Sequence, residues 1–178
     1  VKHGFPKCHM REVNELIDFA RAHLSQRRLG EAHTALQDAL VYLYQAVGVM
    51  HEYVAMCCTL MAKVYSMSAA ATGDDNAEDG IRMAILYERR ALCVYERLKG
   101  FDSYQVMRSH NFLATLLTRA KDYHLAAKHM IRYIYLQRLA LGSFHAEENS
   151  ALIKLGSIYQ GVGRLDQAVR VYDFALRK

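Results

Sequence analysis

The sequence is poor in residues that break a chain into turns. Among 178 residues there are one proline (Pro6), ten glycines and no tryptophan. So little punctuation disfavours many short strands and favours long helices. Cysteine is also sparse, at Cys8, Cys57, Cys58 and Cys93. Adjacent Cys57 and Cys58 do not easily bridge each other, and the spacing builds no disulfide framework. The expectation is a reduced, intracellular protein. No apolar run approaches the ~18 to 20 residues of a membrane span, and no signal peptide opens the chain. Membrane insertion is therefore not expected. Val1 is not an initiator methionine, which points to a piece of a longer protein.

Motifs that carry chemistry are missing too. There is no glycine-rich phosphate loop, no nucleophile elbow and no acid pair in a supporting motif. No catalytic residue, enzyme activity or cofactor is expected. Nine histidines invite a metal reading, but zinc needs four convergent ligands. Cys8-His9 has no second pair nearby, Cys57 and Cys58 diverge on a helix, and His124 and His129 miss the i, i+4 spacing. The cysteines read as core, and Met50, Met56, Met61, Met67 and Met130 as its adaptable filling.

What is present is a large apolar fraction, 52%, with twelve tyrosines and eight methionines. That is enough for one compact core with amphipathic residues at its rim. The formal charge is +5, from 23 Lys and Arg against 18 Asp and Glu. This mild basic excess is compatible with RNA or acidic peptides and specific to neither.

The organising feature is a repeat. Gly48, Gly100 and Gly142 end similar runs and lie 52 and 42 residues apart. Small residues recur in first helices at Ala20, Ala62, Ala114 and Gly156, and in second helices at Ala32, Ala84, Ala126 and Ala168. One register fits all three series. The period is 42, with ten extra residues between Ala62 and Ala84. The stretch SAAATGDDNAEDG, Ser68 to Gly80, is small, polar and acidic and reads as a loop joining the helices of the second repeat. Small residues are needed where two helix backbones cross closely. Phe19, Met61, Leu113 and Leu155 immediately precede the small residue, and Tyr65 and Tyr159 follow it by one turn on the same face. Ala39, Ala91 and Ala175 lie two turns beyond the second-helix position, with Tyr133 the exception.

The small-residue pattern resembles the tetratricopeptide repeat (TPR), most clearly in Leu155, Gly156, Tyr159, Ala168, Tyr172 and Ala175. The usual period is about 34, so 42 adds roughly two helical turns per pair. The fold expected is all-α: a right-handed superhelix of about four antiparallel helix pairs. A lead-in over 1–11 precedes repeats at about 12–53, 54–105, 106–147 and 148–178.

The long-period form is similar to two families, clustered mitochondria (CLU) proteins and, more distantly, kinesin light chains. Leu24 to Tyr65 looks like the CLU segment in which a repeat ends in Tyr-Gly-x-Met-His. Here that signature reads Val47-Gly48-Val49-Met50-His51, followed by Ala55-Met56-Cys57. Kinesin light chains are matched only by Leu141-Gly142-Ser143-Phe144-His145 and Asn111-Phe112-Leu113-Ala114, without their prolines. The CLU resemblance implies a cytoplasmic scaffold concerned with mitochondrial distribution and with messenger RNAs and the translation machinery. Partners would be a protein or extended peptide, other domains of the parent chain, and mRNA through that parent. The kinesin light chain resemblance implies a cargo adaptor that binds acidic peptides.

In a superhelix of this kind the concave surface is lined by first helices. Positions one after and three before the small residue should face it: Arg21 and Ile17, Lys63 and Thr59, Thr115 and Asn111, Ser157 and Ile153, with Arg108 and Arg119 beside them. Asn and cations suit the backbone and carboxylates of an extended acidic peptide. A hydrated polar face is the plain alternative. A second basic set, Arg82, Arg89, Arg90, Arg97 and Lys99 with Tyr87 and Tyr95 interleaved, would suit RNA by phosphate contact and stacking. Glu88 and Glu96 lie among them, as on an ordinary solvated helix face.

Overall fold

The computed structural model describes residues 7–72, 76–142 and 146–177. These residues form eight α-helices and no strand: α1 (Lys7–Ser25), α2 (Leu29–Ala46), α3 (Glu52–Thr72), α4 (Asn76–Lys99), α5 (Tyr104–Arg119), α6 (Tyr123–Leu141), α7 (Ala146–Val162) and α8 (Leu165–Leu176). They fall into two compact units, residues 1–98 and 99–178. Each unit contains two helical hairpins. Helix α1 begins at Lys7, within the stretch read as the lead-in, and residues 1–6 lie outside the described residues.

Helix ends follow local chemistry. Ser103 caps α5 by accepting from the Val106 N–H, and Asp122 caps α6 by accepting from Leu125 at 3.2 Å. Between hairpins, Gly48, Gly100 and Gly142 take φ of 76°, 85° and 82°, a conformation that costs a side chain about 1 kcal/mol. These are the positions the repeat register marked as boundaries.

The small positions of the register are the packed ones. Ala20, Ala62, Ala114, Ala32, Ala84 and Ala126 are fully buried, and Ala168 nearly so. Gly156 is glycine for a visible reason: a Cβ there would lie 2.4 Å from a ring carbon of Tyr172. Met61, Leu113 and Leu155 are buried beside these contacts, whereas Phe19 is 50% exposed.

The stretch Ser68–Gly80 departs from the loop expectation. Ser68 to Thr72 continue α3 and Asn76 to Gly80 begin α4; residues 73–75 lie outside the described residues. The insertion thus lengthens the second hairpin. Ala69, Ala70 and Ala71 have the highest helix propensity, and Glu78 and Asp79 sit in the first turn of α4, where carboxylates favour a helix N-terminus. Gly80 lets the two helices close: a Cβ at that position would meet Ala69 Cβ at 3.0 Å.

Helix α3 also meets the length and apolarity of a membrane span, contrary to the reading of the apolar runs. Glu52–Ala71 has a mean hydropathy of 1.4. Half of that stretch is buried inside the protein, with Val54, Ala55, Cys57, Cys58, Met61 and Ala62 at zero exposure. Its apolarity serves the core of the first unit.

In the second unit one cation ties three helices. Arg138 of α6 donates from Nε to Glu148 Oε1 of α7 at 2.5 Å, and its guanidinium lies 5.8 Å from the Phe174 ring centre of α8. The Glu148 side chain is 1% exposed and that of Arg138 41%. Removing a buried carboxylate's partner costs several kcal/mol in full burial, and water reaching Arg138 reduces this. Arg138→Ala should destabilise the second unit by about 1–2 kcal/mol in urea denaturation, with Arg138→Lys recovering part of the loss. No change in the transition would show that the pair contributes nothing.

Candidate functional site

Within the first unit, the expected groove positions behave unequally. Ile17 is 1% exposed and belongs to the core, so it cannot line a groove. Its offset from Ala20 places it about 60° from the small residue around the helix, close enough to be covered by neighbouring helices. Thr59 is likewise withdrawn: its Oγ1 is enclosed, and its hydroxyl lies at the Tyr95 phenol. Burial pushes that phenol up to about 12, so Tyr95 stays neutral. Arg21 is exposed. It pairs with Asp18 at 3.2 Å and donates from Nη2 to Met56 Sδ of α3 at 2.9 Å. Met56 and Lys63 are two turns apart on α3, so Arg21 and Lys63 belong to one side of this unit, with Lys63 half-buried.

In the second unit, Arg108, Asn111, Thr115 and Arg119 follow one another at three- and four-residue steps along α5 and form one stripe. Arg108 is exposed, with its guanidinium 5.7 Å from the Tyr104 ring centre. The exposed Thr115 hydroxyl donates to the Asn111 carbonyl at 3.0 Å. Arg119 is half-buried. On α7, Ile153 is 52% exposed, and exposed Ser157 donates to the Ile153 carbonyl at 3.0 Å. Sequence reasoning missed Asn149, one turn before Ile153 on this same face. Asn149 and Asn111 are both partly exposed, and the Oδ1 of each is enclosed and receives no hydrogen bond from the protein. The signal for Asn149 was its four-residue step to Ile153, which the register's fixed offsets passed over.

The second basic set lies on the exterior of α4. Arg82, Arg89, Arg90, Arg97 and Lys99 are all exposed. Arg82 is held by Glu78 at 2.8 Å and Asp79 at 3.5 Å. Arg90 lies over the Tyr44 ring at 4.9 Å. The interleaved tyrosines do not face outward with them. Tyr87 is half-buried and stacks on Tyr65 with ring centres 5.6 Å apart, and Tyr95 is buried. Glu88, 1% exposed, faces inward as well. The face therefore offers cations for phosphate without an aromatic platform for bases.

Cys57 and Cys58 are both buried. Burial pushes their thiols up to about 12 and about 11, which keeps them protonated and poorly nucleophilic. No group of three or more His, Cys, Asp and Glu able to hold a metal ion occurs among the described residues.

Comparison with known proteins agrees with this architecture. A clustered mitochondria protein of Arabidopsis thaliana is 28% identical over 132 residues, 74% of this chain and 8% of that protein. A human clustered mitochondria protein homolog is 24% identical over 176 residues, 99% of this chain and 12% of that protein. The chain thus spans about a tenth of these relatives. No protein-family model matches it. Among solved structures, BtubC (BKLC) from P. vanneervenii superposes with a TM-score of 0.78 at 21% identity, covering 93% of this chain and 62% of that one. A Podosopora anserina putative kinesin light chain with nearly identical TPR-like repeats gives 0.76 at 14% identity, covering 93% and 74%. The fold is an all-α, TPR-like helical repeat, and the chain resembles clustered mitochondria proteins in sequence.

Proposed function

We propose that this chain is the partner-holding module of a clustered-mitochondria-like cytoplasmic protein. That protein would act in the intracellular distribution of mitochondria and in the handling and translation of mRNAs for mitochondrial proteins. The sequence similarity supports the assignment, and a TPR-like fold supports protein docking as the module's share of the work. The single observation that carries the docking chemistry is the pair of amides, Asn111 and Asn149, with acceptor oxygens that no protein donor satisfies. Leaving such an acceptor unpaired costs about 1–3 kcal/mol, and a peptide backbone N–H laid along either stripe can offset it once the amide turns outward. Arg108 beside Asn111 favours an acidic chain.

The test is fluorescence anisotropy with a labelled peptide alternating Glu with Leu and Ala. Arg108→Glu together with Asn111→Ala, on one stripe of the second unit, should weaken its binding at least about tenfold. Unchanged affinity would remove the groove from consideration. A cargo-adaptor role, supported by the kinesin light chain likeness of the fold, uses the same surface with a different peptide. RNA contact by α4 is the second reading, favoured by the exposure of Arg89 and Arg97. Ultraviolet crosslinking of a uridine-rich RNA to the purified chain, lost in Arg89→Glu with Arg97→Glu, would support it.

A further inference from the structure

The half-exposed Phe19 lines an open groove between α1 and α2, with a volume of about 820 Å³. Its apolar lining includes Phe19, Val41 and Tyr42, which are 50%, 54% and 45% exposed. Its charged lining is of one sign: Glu12 and Glu15 from α1, and Asp38 from α2. Around α1, Glu12, Glu15 and Phe19 share one side at 100° per residue, and Arg21 lies half a turn from Glu12. Arg21 is the residue that reaches Met56 of α3. On α2, His33 bonds to Tyr65 of α3 at 3.1 Å and lies about 140° around the helix from Asp38 and about 180° from Tyr42. The groove therefore faces away from α3 on both of its walls.

Helix α3 shows what such a hairpin accepts. It lies against α2 and α1 as a helix whose apolar residues enter the space between them. The groove presents a comparable apolar pair of walls on the far side, rimmed by carboxylates. The geometry points to this groove as a docking site for a basic amphipathic helix of a partner protein, its leucine-type residues against Phe19, Val41 and Tyr42 and its Lys or Arg residues at Glu12, Glu15 and Asp38. This is the helix-in-groove mode, with charge fixing orientation and choice of partner. Arg11 already lies 2.9 Å from Glu15, but both side chains are mostly exposed, so the pair is weak and an incoming cation can displace it. The net charge of +5 works against generic attraction of a basic peptide, so binding of one reports the local field. The groove is on the side of the first unit opposite Arg21, and it is independent of the acidic-peptide surface proposed above.

The probe is a fluorescein-labelled helical peptide with Leu at i, i+3, i+4 and i+7 steps and Lys elsewhere. A twin carries Glu in place of each Lys. Anisotropy with the full 178-residue chain should show the Lys peptide binding and the Glu peptide failing to bind. Glu15→Lys with Asp38→Lys, both at exposed positions, should weaken the Lys peptide about tenfold and leave the thermal melting curve unchanged. Tyr42→Ser should weaken it independently of charge, and Arg108→Glu with Asn111→Ala should leave it unaffected. Equal binding of the two peptides, unchanged affinity in the charge-reversed variant, or no binding by the Lys peptide would overturn the assignment. So would concentration-dependent dimerisation in ultracentrifugation that the same two substitutions abolish, because a second copy would then be the occupant.

Discussion

Ala62→Leu is expected to destabilise the first unit by about 2–3 kcal/mol, although it adds apolar surface and sits in a helix that tolerates leucine well. Transfer reasoning alone gives the opposite sign, because extra methylene groups buried from water stabilise by about 0.8 kcal/mol each. The sign turns on space. Ala62 has zero exposure, and its neighbours Cys58 and Met61 are also fully buried. Two turns further along the same face, Ala69 is so close to α4 that even a methyl group on Gly80 would meet its Cβ at 3.0 Å. Room for a leucine can come only from moving α3 off its neighbours or forcing strained rotamers, and either loses packing along the whole helix. Ala70→Leu, at an exposed position of the same helix, should change stability by less than about 0.5 kcal/mol. Urea denaturation followed by circular dichroism distinguishes the two. Equal midpoints for Ala62→Leu and the parent chain would show that the small-residue register marks something other than close helix contact.

That register was the most legible part of the fold because it is a steric requirement. A helix crossing admits only Ala or Gly, so the requirement leaves a mark at fixed spacing through four repeats. Three turns inside the hairpins left little. Arg27 and Lys121 take left-handed φ of 59° and 60°, and Gly163, 42 residues after Lys121, takes 80°. Only the last of these carries a residue that announces the conformation, because arginine and lysine can be held there at a cost of about 1–2 kcal/mol by the helices on either side. The stretch Ser68–Gly80 misled for a related reason. Its small and acidic composition is shared by loops and by helix ends, and what makes it helical is contact between Gly80 and Ala69, which no composition reveals.

The candidate groove was legible only by offset, and the offset was too coarse. Ile17, Thr59, Asn111 and Ile153 occupy one register position, yet they run from 1% exposed at Ile17 to 52% at Ile153. A position about 60° from the core centre is a boundary, and neighbouring side chains decide on which side of it a residue falls. Phe19 shows the same ambiguity reversed. It occupies the register position of buried Met61, Leu113 and Leu155, but α1 turns it into the open groove.

Lowering the pH from 7.5 to 5.0 is expected to cost the second unit about 2 kcal/mol through one side chain, His110. Its imidazole is 8% exposed between α5 and α6, with Nδ1 2.8 Å from Nδ1 of His129. Burial, then His129, then Arg132 push its pKa down from 6.5 to about 4. At pH 7.5 the ring is neutral in both folded and unfolded chains and contributes no pH dependence. As the pH falls through 6.5, the unfolded chain takes up a proton that the folded one excludes, so stability drops until the folded ring also titrates near 4. Most carboxylates remain ionised at pH 5.0, which separates this loss from general acid denaturation. Urea midpoints at pH 7.5, 6.0 and 5.0 should therefore fall steadily for the parent chain. His110→Asn is expected to lower stability at pH 7.5 but to flatten the slope, while His124→Asn, at an exposed position, should leave the slope intact. If His110→Asn retains the full slope, the proton enters elsewhere and the buried His110 is not the acid-sensitive joint of this unit.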